Sequence, residues 1–138
     1  MKKKWIHTAV IVLLVLEAVF LIARRIVPVE LTDLMPEEFS PEQCRVNYFD
    51  WNDSIKLTGE DLQTLLGYLN GLEYRYDGRT LGGVMKGELY HLSLFQSEPP
   101  ELVDLFVTKQ RGIVYIDDRE YEMLGDTEPL LEFLDGLQ

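Results

Sequence analysis

A chain of 138 residues that is 46% hydrophobic and 27% charged, with about a hundred residues left after its apolar start, can bury one core and no more. Its formal net charge of −11 repels phosphate and so argues against nucleic acid as a partner. A single cysteine, Cys44, excludes an internal disulfide, and the fold must be held by its core alone.

The chain begins with an apolar run over residues 5–23, broken only by His7, Thr8 and Glu17, with Lys2, Lys3 and Lys4 before it and Arg24 and Arg25 after it. As a helix rising 1.5 Å per residue the run reaches about 28 Å, most of a bilayer's hydrocarbon thickness. A membrane-spanning segment is the prediction. A cleavable signal peptide shares the charged start, but its apolar core is usually about 7 to 15 residues long and ends in a small-x-small site. Here the run is longer, and the one candidate site, Leu21-Ile22-Ala23, has leucine where a small residue is needed. Residues 1–26 are therefore read as a retained anchor. Three lysines and the α-amine on one flank against two arginines on the other place the N-terminus in the cytoplasm. The expected location is the cell membrane, crossed once, with the remaining domain extracytoplasmic.

Glu17 is the polar residue of this span that is hardest to dismiss. It lies about 9 Å inside the outer end, where an ionised carboxylate costs several kcal/mol. On a helix it shares a face with Val10, Leu13, Leu14, Phe20, Leu21 and Arg24, which makes it a candidate for contact with a partner in the membrane. The alternative is a glutamate tolerated there without a partner.

Residues 27–43 carry Pro28, Pro36 and Pro41 together with Glu30, Asp33, Glu37, Glu38 and Glu42. Proline fixes its own backbone angle and disfavours helix at the residue before it, so this segment is expected to be an extended acidic stalk that does not pack tightly. From residue 31 onward 8 Lys and Arg face 22 Asp and Glu, a net charge of −14. Such a field favours cationic partners or plain solubility.

Residues 44–138 read as one α+β domain. Cys44 precedes a strand over residues 45–49 and is expected to pack as a small apolar residue; an intermolecular disulfide or a reactive thiol is the alternative. Turn formers at residues 50–54 separate it from a second short strand over 55–57. Thr58 stands where it would cap a helix, with Asp61 as an imperfect capping-box partner. Leu62, Leu65, Leu66 and Leu69 recur at i, i+3, i+4 and i+7 to give one apolar stripe, and Gly71 marks the stop. The period then changes to two. Strands are expected over residues 72–76, 88–95, 102–108, 112–117 and 120–124, the first two joined by a glycine-rich connection over 77–87. Three short links in succession imply an antiparallel meander. A final helix over residues 128–137 carries Leu130, Leu131, Leu134 and Leu137 on one side. The expected architecture is an antiparallel sheet of four to six strands with two helices on one face, in the order ββαββββα.

Motifs for chemistry are sparse. Asp50, Asn52, Ser54 and Asp61 occupy calcium-loop spacing, but Ile55 replaces the glycine that the loop's sharp turn needs. The segment 78–87 has glycines and Lys86 but no phosphate-loop ending, and it leads into a strand. It still gathers scarce positive charge, so Arg75, Arg79 and Lys86 are the candidate contacts for an anion or a partner. His91 lies within a predicted strand, and no Ser, His and Asp pattern or metal-ligand spacing stands out. No catalytic residue, metal or cofactor is expected, and the chain reads as a non-enzyme.

Short N-terminal anchor, proline-containing stalk and acidic α+β domain, closed by a hairpin at Ile116-Asp117-Asp118-Arg119-Glu120-Tyr121 and a last helix, together give an organisation that loosely resembles small membrane-tethered extracytoplasmic domains of Gram-positive bacteria. That resemblance implies an envelope protein and carries no active site. The expected role is a binding or regulatory module that offers its sheet face or the loop at 77–87 to another envelope protein. The alternative is an acidic inhibitor or immunity protein that masks a cationic toxin or enzyme site.

Overall fold

The computed structural model describes residues 2–48, 54–80, 88–109 and 112–137, with backbone only for residues 24–26 and 78–80. Its first element is helix α1 (Lys2–Ile26), which contains a stretch, Lys2–Ala23, of mean hydropathy 2.6 with none of that apolar length buried against the rest of the chain. A helix this long and apolar can cross a membrane.

The remainder forms a two-layer α+β domain. Strands β1 (Val29–Glu30), β2 (Gln43–Tyr48), β3 (Ile55–Leu57), β4 (Glu73–Thr80), β5 (Leu89–Gln96), β6 (Glu101–Thr108), β7 (Ile113–Ile116) and β8 (Arg119–Leu124) make one sheet of spatial order β1-β4-β8-β7-β6-β5-β2-β3. Every pairing is antiparallel. The predicted meander is present as β5 to β8. The sheet has eight strands, more than the four to six expected, and the unforeseen one is the two-residue β1 at the edge; the five strands expected over residues 72–124 all form between α3 and α4, one more than the order ββαββββα holds.

Helix α3 (Gly59–Asn70) links β3 at one edge to β4 near the other, so it crosses the sheet and buries Leu62, Leu65 and Leu69. Helix α4 (Glu128–Gly136) packs beside it through Leu130 and Leu134. Both stripes meet the alternating inward residues of the strands, among them Val46, Leu92, Leu105, Val107, Val114 and Met123, in one core. Thr58 is the N-cap residue of α3, yet its side chain makes no capping hydrogen bond, and Gly59 behind it adopts φ +59°, a conformation natural to glycine.

The segment read as an extended stalk is part of the domain. Val29 and Glu30 pair with Tyr74 and Glu73, and helix α2 (Leu31–Leu34) follows at once. Leu31 is buried in the core, with Leu34, Met35 and Phe39 packed against it. Proline spacing suggested a spacer, but the apolar residues between the prolines gain more by burial than an extended chain would keep. Few residues therefore separate α1 from the rest of the fold. The connection expected over 77–87 is shorter too, since residues 77–80 continue β4; residues 81–87 lie outside the described residues.

Candidate functional site

Both main helices lie on one face of the sheet, and the strand period of two turns the intervening residues to the other face. Register places Asn47, His91, Phe106, Tyr115 and Glu120 in one row across β2, β5, β6, β7 and β8. A second row holds Lys56, Arg45, Ser93 and Asp104, and a third Gln43, Phe95 and Leu102. Phe95, Phe106, Ile113 and Tyr115 are only partly buried, and Leu102 is 59% exposed. No described helix covers them.

At the centre of this face the ring of His91 stacks on Phe106, with centroids 4.3 Å apart and planes 6° from parallel. His91 Nε2 lies 2.8 Å from Asp104 Oδ1 and 3.2 Å from Ser93 Oγ, and the Ser93 hydroxyl donates to Asp104 Oδ1 at 2.9 Å. Serine, histidine and aspartate thus meet, but not as a nucleophilic triad. A triad holds the carboxylate on one ring nitrogen and the serine on the other. Here both approach Nε2, and the Ser93 hydroxyl donates to the carboxylate and not to the ring, so the imidazole is not placed as its base. The trio instead fixes three side chains on the exposed surface. Its signal was readable: a hairpin centred on Glu98 and Pro99 sets Ser93 opposite Asp104 and His91 opposite Phe106.

Two concave sites flank α2. A cleft of about 610 Å³ lies between residues 31–41 and α3, floored by Leu31, Met35, Phe39, Leu66 and Leu94 and rimmed by Asp33, Glu37 and Glu38. A cavity of about 430 Å³ lies at the foot of α1, bounded by Val27, Val29, Leu34, Tyr76, Tyr121 and Ile116 with Asp33, Asp117 and Arg119.

The residues singled out from sequence are not brought together. Glu17 sits on α1 within the exposed apolar helix, far along the chain from the domain. Arg75 on β4 is engaged by Glu122 on β8, which neutralises its charge across the strand pair. The Arg79 side chain and Lys86 lie outside the described residues, as do Asp50 and Asn52 of the calcium-like spacing. Among the described residues no group of three His, Cys, Asp or Glu side chains is placed to hold a metal ion. Cys44 is fully buried, and burial pushes its thiol from 9.0 up to about 12. It packs as the small apolar residue expected, out of reach of a second chain.

No known protein family, curated protein or solved structure matches the chain.

Proposed function

We propose that this protein is a membrane-anchored, extracytoplasmic binding or regulatory module of a bacterial envelope, acting through protein–protein contact at the open face of its sheet. The observation that supports this reading is the set Phe95, Leu102, Phe106, Ile113 and Tyr115, apolar and aromatic side chains held on a face that no described helix covers. Open faces of antiparallel sheets in water usually alternate to polar residues, and aromatic residues are enriched where partners dock. Lysines on the short N-terminal flank of α1 support the outward orientation of the domain.

The partner surface that fits is apolar where it meets Phe106, Tyr115 and Leu102. The His91, Ser93 and Asp104 trio then serves to hold Phe106 in a fixed pose, which lowers the ordering cost of docking. The role is non-enzymatic: it requires neither a nucleophile nor a cofactor.

Chemical crosslinking in membranes followed by capture of the full chain tests this reading. Leu102→Glu, which places a charge on the most exposed apolar residue of this face, should abolish the specific crosslinked species given by the unsubstituted chain. An unchanged set of species would overturn it.

A further inference from the structure

Register determines which end of the domain the anchor leaves. Val29 and Glu30 run antiparallel to Tyr74 and Glu73, so the residues before Val29 lead back towards Tyr76 and Thr80, and Thr80 lies opposite Arg119. Val27, directly after α1, accordingly forms part of the wall of the 430 Å³ cavity that also contains Arg119. If α1 spans the bilayer, that cavity opens at the level of the lipid headgroups.

Its charged side chains line one cavity without being joined to one another. Arg119 and Asp117 have no side-chain hydrogen bond or ion pair among the described residues. Asp33 spends one carboxylate oxygen, Oδ2, on the backbone N–H of Glu30 at 3.1 Å and keeps the other. A guanidinium presents several donors suited to a phosphate, and carboxylates accept hydrogen bonds from an ammonium. Among the described side chains that line the cavity, two carboxylates stand beside one guanidinium, a set that matches a zwitterion carrying both a phosphate and N–H donors. Tyr76 and Tyr121, with ring centroids 5.6 Å apart, supply the amphipathic walls that suit the membrane interface.

From this geometry we propose that the cavity at the foot of α1 binds the phosphoethanolamine headgroup of a membrane phospholipid, with Arg119 on the phosphate and Asp117 and Asp33 on the ammonium. The site rests on the anchor reading of α1 and is independent of the sheet face. Its consequence is a domain held with a defined end against the bilayer, which leaves the open sheet face aligned along the membrane normal or tilted from it in one fixed pose.

The test places the full chain in nanodiscs of equal parts phosphatidylethanolamine, phosphatidylcholine and phosphatidylglycerol, then counts retained lipids by native mass spectrometry. Phosphatidylethanolamine should be retained in several-fold excess over phosphatidylcholine, which has the phosphate but no N–H, and over phosphatidylglycerol, which has no amine. Arg119→Gln should lower that retention about tenfold, the scale of a lost charge-assisted hydrogen bond. Asp117→Asn should remove the preference over phosphatidylcholine. Both positions are exposed, so unchanged unfolding midpoints are expected as the control. Equal retention of the three lipids, or retention indifferent to both substitutions, would overturn the proposal. Displacement of the lipid by an equal concentration of soluble phosphoethanolamine would overturn the lipid assignment in favour of a soluble ligand. A chain that fails to enter nanodiscs overturns the anchor reading itself, whereas one that enters and retains no lipid overturns only the headgroup site.

Discussion

The side-chain oxygen of Gln96 accepts the backbone N–H of Ser40 at 2.6 Å, while its nitrogen donates to the carbonyl of Pro99 at 2.9 Å. One buried amide thereby ties residues 31–41 to the β5–β6 hairpin. Beside it the Ser97 hydroxyl donates to the Glu42 carboxylate at 2.8 Å, and the Glu42 N–H to the carbonyl of Phe95 at the same distance. Gln96→Ala leaves two backbone groups without their partner, at about 1–3 kcal/mol. Limited proteolysis should show faster cleavage within residues 31–41 in that variant. Cleavage at the unsubstituted rate would contradict the tie.

Three core tyrosines allow a sharper comparison. Tyr74 donates its hydroxyl to the Leu69 carbonyl at 2.8 Å, at the end of α3, whereas the buried hydroxyl of Tyr90 has no partner among the described residues. Tyr48 donates to the Leu134 carbonyl in α4 and meets Tyr90 edge-on with centroids 5.0 Å apart. Tyr74→Phe should therefore cost about 1–2 kcal/mol, and Tyr90→Phe should be neutral or slightly stabilising. Denaturant midpoints decide it; equal losses for the two would show that the Tyr90 hydroxyl is satisfied after all.

Alkaline pH should destabilise the fold in a defined window. The folded Cys44 thiol is raised from 9.0 to about 12 by burial, and burial raises the Tyr74 phenol above its ordinary 10.0. A raised folded value means that the unfolded chain loses its proton first, so the contribution is intact below about pH 9 and is lost as pH climbs towards 12. Each such group adds a slope of about 1.4 kcal/mol per pH unit once its unfolded form is ionised. Urea midpoints measured from pH 8 to 10.5 should fall, and Cys44→Ala should flatten part of the fall. In native protein Cys44 should also resist a thiol-specific reagent until the domain unfolds. A pH-independent midpoint, or immediate labelling, would contradict its burial.

Ionic strength separates the two functional classes. The proposed contact through Phe106, Tyr115 and Leu102 is apolar, so the affinity for a partner docked there should change by less than about threefold between 50 and 300 mM salt, near the scale of one screened surface charge pair. A much steeper loss, concentrated in the association rate, would favour the acidic inhibitor reading instead.

Much of the fold was legible because its signals are local. Leu62, Leu65 and Leu69 announce α3, and alternation along residues 88–95 announces β5. The missed features depend on partners far away in the chain. β1 has two residues, too few for a period, and exists because Tyr74 and Glu73 offer it an edge. Leu31, Leu34 and Met35 carry helical spacing, but the prolines around them outweighed it in a reading without the core. The cavity joining Asp33 to Arg119 could not be foreseen, since it depends on the register of β4 against both β1 and β8. The trio on the open face was within reach, because the β5–β6 turn alone sets its pairing.

The central claim, an outward domain that binds through its open sheet face, is tested most directly by site-specific photo-crosslinking in intact cells. A photoreactive residue at Phe106, on the open face, should give a discrete protein adduct, and the same residue at Thr64, exposed on α3 across the core, should give none. Adducts from Thr64 with none from Phe106 would contradict the account.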